Sequence, residues 1–460
     1  MMELKGKKVL VVGLGKSGLA AALFLRRRGA HVTVSDVRSA EALANDIPAL
    51  LDEGIMVETG GHGLLTFRRQ DLIVVSPGVP LNTPELAQVK SFGLPVIGEL
   101  ELAARFLKGS TLAITGSNGK TTTTALVGEI LEKAGIPTLV GGNIGVPVIA
   151  LIDKSTDETW SVLEVSSFQL ESTQQFHPRI AVILNITPDH LDRHGSFENY
   201  ALAKERIFAA QDESDCVILN ADNLSAAQAA ARSVARVLFF SLEHSVLQGA
   251  WVEDGFVVYR AGANQPIEKI MPLSGVPLKG AHNVENVLAA VCAARQAGAP
   301  AEAVREAIEQ FKAVEHRLEF VAKVNGVDFY NDSKATNVDA TAKAIAAFPS
   351  GIHLILGGKD KGSDYTQLSQ LLRARVRAVY TIGAAAAKIE GELRGVVPIH
   401  SCDTLEKALT EAASAARPGE VVLLAPACSS YDQFENYEQR GRVFKELVAE
   451  RKGWKVWQHA

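Results

Sequence analysis

Residues 111–127 read TLAITGSNGKTTTTALV, which places a glycine-rich turn between a short apolar run and the start of a helical pattern. This order of strand, loop and helix is typical of a phosphate-binding loop, because the backbone N–H groups of such a turn surround phosphate oxygens. In that arrangement Lys120 places its charge on the β- and γ-oxygens of a nucleotide, and the Thr121 hydroxyl reaches Mg²⁺. Ile114 stands where the full pattern has its first glycine, so the detailed shape of the loop stays open. The residues predicted to form the loop are Gly116, Ser117, Asn118, Gly119, Lys120, Thr121 and Thr122.

The rest of the chain repeats this alternation of apolar runs and helical patterns, which is typical of βα units and of parallel sheets covered on both faces. The fold class is therefore predicted to be α/β. The scheme of a strand that feeds a polar or glycine-rich loop restarts near residues 9, 112 and 328, which predicts three separate sheets. Boundaries near Gly98 and Ala313 predict domains 1–97, 98–313 and 314–460. The predicted strands are Lys8–Val12, His31–Ser35, Leu72–Val75, Thr111–Thr115, Val162–Glu164, Ile180–Leu184, Val217–Leu219, His353–Leu356, Val379–Ile382 and Val421–Leu424.

The composition of the 460 residues is that of a globular protein, with 47% apolar and 22% charged residues. A formal net charge of −5 at pH 7 argues against a nucleic-acid partner and favours small-molecule partners. The chain offers no apolar stretch of about 18 residues that could span a bilayer, so no membrane partner is expected. The four cysteines lie far apart without a CxxC pair, which fits a reducing cytoplasm better than a disulfide framework or a zinc site.

A second glycine-rich turn, GLGKSG at residues 13–18, follows the first predicted strand, and Asp36 follows the next one. This spacing is a Rossmann fingerprint and, taken alone, indicates a dinucleotide. Its chemistry is less specific, because the turn and the helix N-terminus bind a diphosphate and Asp36 accepts from a hydroxyl, both of which a UDP-sugar also provides. The segment SPGV at residues 76–79 ends a further strand and would face the same crevice. These residues alone do not decide between a dinucleotide and a UDP-sugar.

Acidic and imidazole side chains follow two further predicted strands, Glu164 in TWSVLEVSSFQLE and Asp189 with His190 in AVILNITPDHLDRHG. Because the carboxyl ends of parallel strands meet at one edge of a sheet, Glu164 and His190 could both reach a metal beside the phosphates. Taken singly, each is more often a structural hydrogen-bond partner. The Rossmann-like start, the phosphate-binding loop near residue 116 and the third α/β unit together predict a reaction that uses ATP to join a nucleotide-bearing substrate to another molecule.

Ten motifs follow one another along the chain: TGSNGKTTT, GGNIGVP, LEVSSFQLE, NITPDHLDRHG, YALAKERIF, GAHNVENVLAA, EHRLE, NDSKATN, LGGKDKG and APACSSYDQFENYEQRG. In this order they resemble the motifs of the Mur ligases of bacterial cell-wall synthesis over essentially the whole chain. Within that family the similarity is greatest to the members that add D-glutamate, and the chain lacks the Asn-Pro-Arg segment of relatives that add a diamino acid. The resemblance implies a UDP-binding N-terminal domain, a central P-loop ATPase domain with a mostly parallel sheet, and a Rossmann-like C-terminal domain that brings the amino acid.

The resemblance also implies contacts at individual positions. Tyr437 stands where the family more usually has phenylalanine. The lysines at positions 334 and 361, with the hydroxyls of Thr336 and Ser430, suit an amino acid that carries two carboxylates. Contacts to the UDP-substrate are implied for Ser17, Asp36, Arg38, Gly78 and, on its muramoyl-alanine portion, Asn143. Contacts to ATP, besides the loop, are implied for Asn286, Arg317 and Asp332. Contacts to D-glutamate are implied for Lys334, Thr336, Lys361, Ser430 and Tyr437.

Two Mg²⁺ ions are implied as well, one at Thr121 and Glu164 and the other at His190. Lys204 would otherwise be read as an exposed lysine of a surface helix. The matching lysine of the family carries a CO₂-derived carbamate, which turns a cation into an oxygen ligand suited to Mg²⁺. Lys120, Glu164, His190 and Lys204 are therefore the residues expected to take catalytic roles.

The implied activity is the ATP-dependent addition of D-glutamate to UDP-N-acetylmuramoyl-L-alanine through an acyl phosphate, in cytoplasmic peptidoglycan precursor synthesis. A monomer is expected, because nothing in the sequence indicates an interface. The alternatives are an NAD-dependent dehydrogenase, favoured only by GLGKSG with Asp36, and a regulatory nucleotide-binding module without catalysis. A further alternative is another amide ligase, either a neighbouring Mur ligase or a folylpolyglutamate synthase, and the synthase would not be expected to carry residues 1–97.

Overall fold

The computed structural model describes residues 2–143, 145–312 and 314–450. Its contacts divide the chain into two compact units. Unit 1 comprises residues 1–275 and 286–309, and unit 2 comprises residues 276–285 and 310–460. Three separate sheets are present, as predicted, and the first two belong to unit 1. The predicted boundary residue Ala313 lies outside the described residues, and the predicted domain limits stay a prediction.

The first sheet has five parallel strands in the order β3-β2-β1-β4-β5, which is the Rossmann-like arrangement expected from GLGKSG. The order reverses between β1 and β4, so a crevice opens at the carboxyl ends of these two strands. The strands are β1 (Lys8–Val12), β2 (His31–Asp36), β3 (Met56–Thr59), β4 (Leu72–Val75) and β5 (Val96–Gly98). The helices are α1 (Lys16–Arg27), α2 (Ile47–Asp52), α3 (Leu64–Arg68), α4 (Pro84–Ser91) and α5 (Glu99–Ala104).

The glycines of the GLGKSG turn allow close packing between the turn and α1. A Cβ added at Gly18 would lie 2.0 Å from the carbonyl oxygen of Gly13, so only glycine lets α1 approach the turn this closely. Gly13 itself has φ +89°, in the left-handed region that favours glycine. The turn therefore brings the N-terminus of α1 to the crevice.

The second sheet has nine strands in the order β14-β13-β12-β11-β10-β9-β6-β8-β7. Its strands pair in parallel except at β12–β13 and β13–β14, where a meander closes one edge of the sheet. The strands are β6 (Ser110–Thr115), β7 (Thr138–Gly142), β8 (Trp160–Glu164), β9 (Ile180–Ile183), β10 (Cys216–Asn220), β11 (Arg236–Ser241), β12 (Gly249–Glu253), β13 (Phe256–Arg260) and β14 (Glu268–Pro272). The helices are α6 (Lys120–Lys133), α7 (Ser167–Leu170), α8 (Leu191–His194), α9 (Phe197–Glu205), α10 (Leu224–Gln228), α11 (Ala281–Gln296) and α12 (Ala301–Gln310).

The third sheet belongs to unit 2 and has the order β15-β16-β20-β17-β18-β19, with only β15–β16 antiparallel. Asn325 and Gly326 join that pair, and both have positive φ, as a tight hairpin with an Asn-Gly turn requires. The strands are β15 (Glu319–Val324), β16 (Val327–Asn331), β17 (Ile352–Gly357), β18 (Val376–Ile382), β19 (Ile399–Asp403) and β20 (Val421–Leu424). The helices are α13 (Val338–Ala346), α14 (Ser369–Arg375), α15 (Ala386–Glu392), α16 (Leu405–Ala415) and α17 (Tyr437–Ala449).

All ten predicted strands are present, and each has ends within three residues of the predicted ones. Short 3-10 helices complete the chain at Glu41–Leu43, Val148–Lys154, Arg206–Phe208, Ala229–Arg232, Leu273–Gly275 and Tyr365–Leu368.

Candidate active site

The predicted phosphate-binding loop connects β6 to α6. Gly119 has φ +88° and lies at the N-cap of α6, so the loop needs a glycine there. A Cβ at this position would lie 2.2 Å from the amide oxygen of Asn286, which shows how closely α11 packs on the loop. Ser117 donates to the carbonyl oxygen of Thr187 at 2.8 Å, and the Asn118 N–H donates to the Asn185 side chain at 2.8 Å. These bonds hold the loop against the segment that follows β9.

Two lysines converge on one carbonyl of this loop. The Nζ of Lys120 donates to Gly116 at 2.8 Å and to Ser117 at 3.0 Å, while the Nζ of Lys204 donates to the same Gly116 oxygen at 2.7 Å. Lys204 is 1% exposed and its ammonium lies 4.6 Å from the centre of the Tyr200 ring. Burial, and next the charge of Lys120, lower the pKa of Lys204 well below its ordinary value. The surface position that the helix pattern alone suggests for Lys204 is wrong, because the side chain is buried beside the loop.

Glu164 ends β8 and is 1% exposed. Its Oε2 accepts a hydrogen bond from the Thr121 hydroxyl at 2.8 Å, and its Oε1 accepts one from the Asn143 amide at 3.2 Å. A carboxylate and a hydroxyl that meet beside a phosphate-binding loop are the hard oxygen donors that Mg²⁺ prefers, so the residues present fit the ion that the family implies.

His190 lies at the N-terminus of α8 with φ +52°, a left-handed conformation uncommon for a residue with a side chain. Its ring packs edge-on against Phe168 at 4.9 Å, and its Nε2 lies 3.5 Å from the Asp189 carboxylate. The side chain keeps 35% exposure, so the imidazole is accessible to a ligand.

Arg193, which the sequence did not single out, connects this region to the first sheet. Its guanidinium donates to the Val79 carbonyl at 3.0 Å and to Glu171 at 2.9 Å, and it lies 5.0 Å from the centre of the Phe168 ring. The loop that carries His190 is thereby attached to the turn after β4. No motif rule assigns a role to an arginine in this position, so only the structure reveals it.

A cleft of about 850 Å³ opens at the carboxyl edge of the first sheet. Its walls include the GLGKSG turn, the SPGV turn and Asn143, which follows β7 of the second sheet. Asn143 also bonds Glu164, so the cleft and the P-loop region share a residue. The predicted UDP-substrate residues that line the cleft are Ser17, Asp36, Arg38, Gly78 and Asn143.

Asp36 organises one wall of this cleft. Its carboxylate accepts from the Leu14 N–H at 2.6 Å and from the Arg38 N–H at 2.8 Å, and Arg38 adds two guanidinium bonds at 2.9 and 3.0 Å. Burial alone would raise the pKa of Asp36, but the bonds from Arg38 and Leu14 outweigh it and lower the pKa to about 2. Asp36 is therefore a charged anchor for the turn and for Arg38.

The lowered pKa of Asp36 predicts that the folded chain loses stability in acid. Because the pKa of Asp36 is about 2 in the folded chain and about 4 in the unfolded one, its contribution is complete above pH 4 and is lost as the pH falls towards 2. We expect Asp36→Asn to lower the free energy of unfolding at pH 7 by on the order of 2 kcal/mol. Urea unfolding from pH 2 to 7 measures the difference in the free energy of unfolding between wild type and Asp36→Asn, and this difference should shrink below pH 4. The control is Asp52→Asn, at the exposed end of α2, which should change the free energy of unfolding little. A difference that does not vary with pH would contradict the ion-pair account.

In unit 2, several predicted residues lie on neighbouring segments. The Nζ of Lys334 lies 3.6 Å from the centre of the Tyr437 ring, and the Thr336 N–H donates to the Lys334 carbonyl. Burial raises the pKa of Asp332 to about 6, against the charge of Arg317 and the Leu318 N–H.

Ser430 is buried, and its segment pairs with the one that leads to Lys361. The pairing consists of reciprocal backbone bonds between Lys359 and Ser429 at 2.8 and 3.1 Å. The residues predicted to bind D-glutamate thus come from segments that contact one another.

The search for membrane-spanning segments, made over the described residues, found no helix with the length and apolar character needed.

Comparison with known families gives a match in each of the three regions. The Mur ligase MurD-like N-terminal domain matches residues 7–98, the Mur ligase middle domain matches residues 114–294, and the Mur ligase glutamate ligase domain matches residues 316–428. Similar chains include the UDP-N-acetylmuramoylalanine--D-glutamate ligases of Acidobacterium capsulatum, 70% identical with 100% of both chains covered, and of Koribacter versatilis, 60% identical with 97% of this chain and 98% of the relative covered.

A solved structure, the UDP-N-acetylmuramate-alanine ligase of Thermotoga maritima, shares the fold with a TM-score of 0.60 at 20% identity, covering 97% of this chain and 100% of that one. The chain belongs to the Mur ligase family. It is an ATP-dependent ligase of peptidoglycan precursor synthesis, with three α/β domains whose sheets are mostly parallel. The dehydrogenase and the non-catalytic module are therefore wrong as alternatives.

Proposed function

We propose that this ligase adds D-glutamate to UDP-N-acetylmuramoyl-L-alanine in the cytoplasm, acting as a monomer. The observation that carries the proposal is the position of Asn143, which lines the cleft of the first sheet and also bonds Glu164 beside the P-loop. A UDP-substrate bound along the GLGKSG and SPGV turns would thus extend towards the phosphates of ATP. The full-length relatives that are 60–70% identical carry the name of this activity, which supports the choice of acceptor and amino acid.

In the first step, a carboxylate oxygen of the L-alanyl group attacks the γ-phosphorus of ATP, and the bond to the β-bridging oxygen breaks to release ADP. The products of this step are ADP and an acyl phosphate. Lys120 lies on the loop that would surround the phosphates, where its charge offsets the charge spread over the transferring group. Bound Mg²⁺, held by Thr121 and Glu164 and by His190, would supply further charge stabilisation of the phosphoryl oxygens.

In the second step, the amine of D-glutamate attacks the acyl carbon, the C–O bond to phosphate breaks, and an amide forms. The amine must lose a proton in this step. Our two candidates to accept it are a metal-linked group and His190, whose partly exposed imidazole can take the proton only when it does not ligate Mg²⁺. Lys334 and Lys361, with the hydroxyls of Thr336 and Ser430, would bind the two carboxylates of the amino acid.

The acyl phosphate can be tested by the fate of an oxygen atom. With UDP-N-acetylmuramoyl-L-alanine labelled with ¹⁸O in its terminal carboxylate, the attacking oxygen remains on phosphorus when the C–O bond breaks. We expect mass spectrometry to find a single ¹⁸O atom in the released phosphate. Unlabelled phosphate, formed together with amide product, would exclude the acyl phosphate and require another route of activation.

A further inference from the structure

Arg440 lies in α17 and is completely buried. Its guanidinium donates to the hydroxyl and the carbonyl of Ser333 at 2.9 and 2.8 Å, and twice to the carbonyl of Cys428 at 3.2 Å. In the part of the chain that the structure describes, Arg440 forms no salt bridge with a carboxylate. A buried charge held by neutral oxygens alone is costly, so such an arrangement needs an explanation beyond stability.

The two anchors of Arg440 lie within the segments predicted to bind the amino acid. Ser333 stands between Asp332 and Lys334, and its hydroxyl also donates to the Tyr437 carbonyl at 2.8 Å. Cys428 stands two residues before Ser430. Arg440 therefore bridges the segment after β16 and the segment after β20, and Ser333 in turn bonds the start of α17.

A third segment packs on the same guanidinium. A Cβ added at Gly358 would lie 3.2 Å from Nη1 of Arg440 and 2.3 Å from the Ser429 carbonyl oxygen, so the backbone that leads to Lys361 passes directly over the guanidinium. The fork of an arginine can bond two segments at once with fixed geometry, which a lysine cannot do. One side chain thus bonds two of the three segments and lies against the third.

Burial lowers the pKa of Arg440 to about 10, against the influence of Cys428 and Asp432, so the side chain stays charged at neutral pH. A positive charge enclosed in protein is screened less by solvent than a charge at the surface. The charge lies under segments that would bind a substrate with two carboxylates.

We propose that Arg440 is a positioning residue of the D-glutamate site, which fixes the Lys334, Lys361 and Ser430 segments relative to one another and adds a buried positive charge beneath them. The inference rests on the proposed function. It assigns to Arg440 a role in amino-acid binding that a purely structural arginine would not have.

The test compares Arg440→Lys, Arg440→Met and Ser333→Ala with the wild-type enzyme in steady-state assays. We expect the KM for D-glutamate to rise about 10-fold or more in Arg440→Met, while the KM values for ATP and for UDP-N-acetylmuramoyl-L-alanine stay within about 2-fold. Arg440→Lys, which keeps the charge but loses the fork, should lie between wild type and Arg440→Met. Arg442→Met, two residues further along the same helix and exposed, is the matched control and should behave as wild type.

Ser333→Ala keeps the inference testable if both Arg440 variants fail to fold, because it removes one acceptor and leaves the carbonyl anchors. A selective rise of the KM for D-glutamate in Ser333→Ala would support the proposal. An unchanged value in folded variants, or an equal rise of all three KM values, would overturn it. Wild-type enzyme that shows no D-glutamate-dependent turnover would instead overturn the proposed function, so the two failures are distinguishable.

Discussion

Replacing Lys120 by alanine is expected to lower kcat by about 10²–10³-fold, since it removes the one charge that the P-loop itself places on the transferring phosphoryl group. The reason is geometric, because the Lys120 ammonium lies across the loop within 3.0 Å of the carbonyls of Gly116 and Ser117. Its removal also relieves the repulsion on Lys204, which shares the Gly116 oxygen. The fold should therefore survive, and release of ADP under saturating substrates measures the effect.

The matched control for this variant is Lys133→Ala. Lys133 ends the same helix α6, keeps 29% exposure and pairs with Glu306 at 3.6 Å. Such a surface ion pair is worth about 1 kcal/mol or less, so activity should be unchanged. Full turnover in Lys120→Ala, with the unfolding curve of wild type, would refute the assignment of the loop to ATP.

Replacing Lys204 by methionine is expected to reduce activity on the order of 10²-fold or more, because the proposed carbamate would be lost as an oxygen ligand. Carbamate formation requires the neutral amine, and burial, followed by the charge of Lys120, lowers the pKa of Lys204 well below its ordinary value. The same shift predicts a gain in stability. In CO₂-free buffer, where Lys204 carries no carbamate, the unfolded chain protonates this lysine at pH 7 and the folded chain resists doing so, so methionine should raise the free energy of unfolding. That gain should vanish as the pH approaches about 10, where the unfolded lysine also loses its proton.

A measurement independent of activity separates the carbamate from other roles of Lys204. Wild-type enzyme equilibrated with ¹³C-bicarbonate should give a carbamate signal by ¹³C NMR, and Lys204→Met should not. Removal of CO₂ should lower wild-type activity and bicarbonate should restore it. A wild-type enzyme that is insensitive to CO₂ and gives no such signal would contradict the carbamate, whatever the activity of the variant.

The sequence predicted the elements that depend on local pattern. Strands such as Leu72–Val75 and Val421–Leu424 appear with their predicted ends, because a short apolar run between turn residues is a strong local signal. The glycine-rich turns were predicted for the same reason, since their residue types are set by backbone geometry at Gly13 and Gly119.

Features that depend on tertiary contacts were not predictable from local pattern. Lys204 looks like any helix lysine, and its burial follows from the packing of α9 on the P-loop. Arg193 bonds a carbonyl group 114 residues away in the chain, and Arg440 bonds one 12 residues away. Every residue has a backbone carbonyl, so the sequence does not indicate which one an arginine will bond. The antiparallel pairing of β12 to β14 was not predicted either, because the direction of a strand depends on which strand it pairs with and on how the two are connected.

Phosphate release by the purified protein, with ATP, Mg²⁺ and UDP-N-acetylmuramoyl-L-alanine across a panel of D- and L-amino acids, tests the central claim most directly. Release confined to D-glutamate, with a product heavier by one glutamate residue, is the predicted result. Release with a different amino acid would keep the ligase and contradict the assignment of Lys334, Lys361 and Ser430 to D-glutamate. No release with any member of the panel would contradict the proposed substrates altogether.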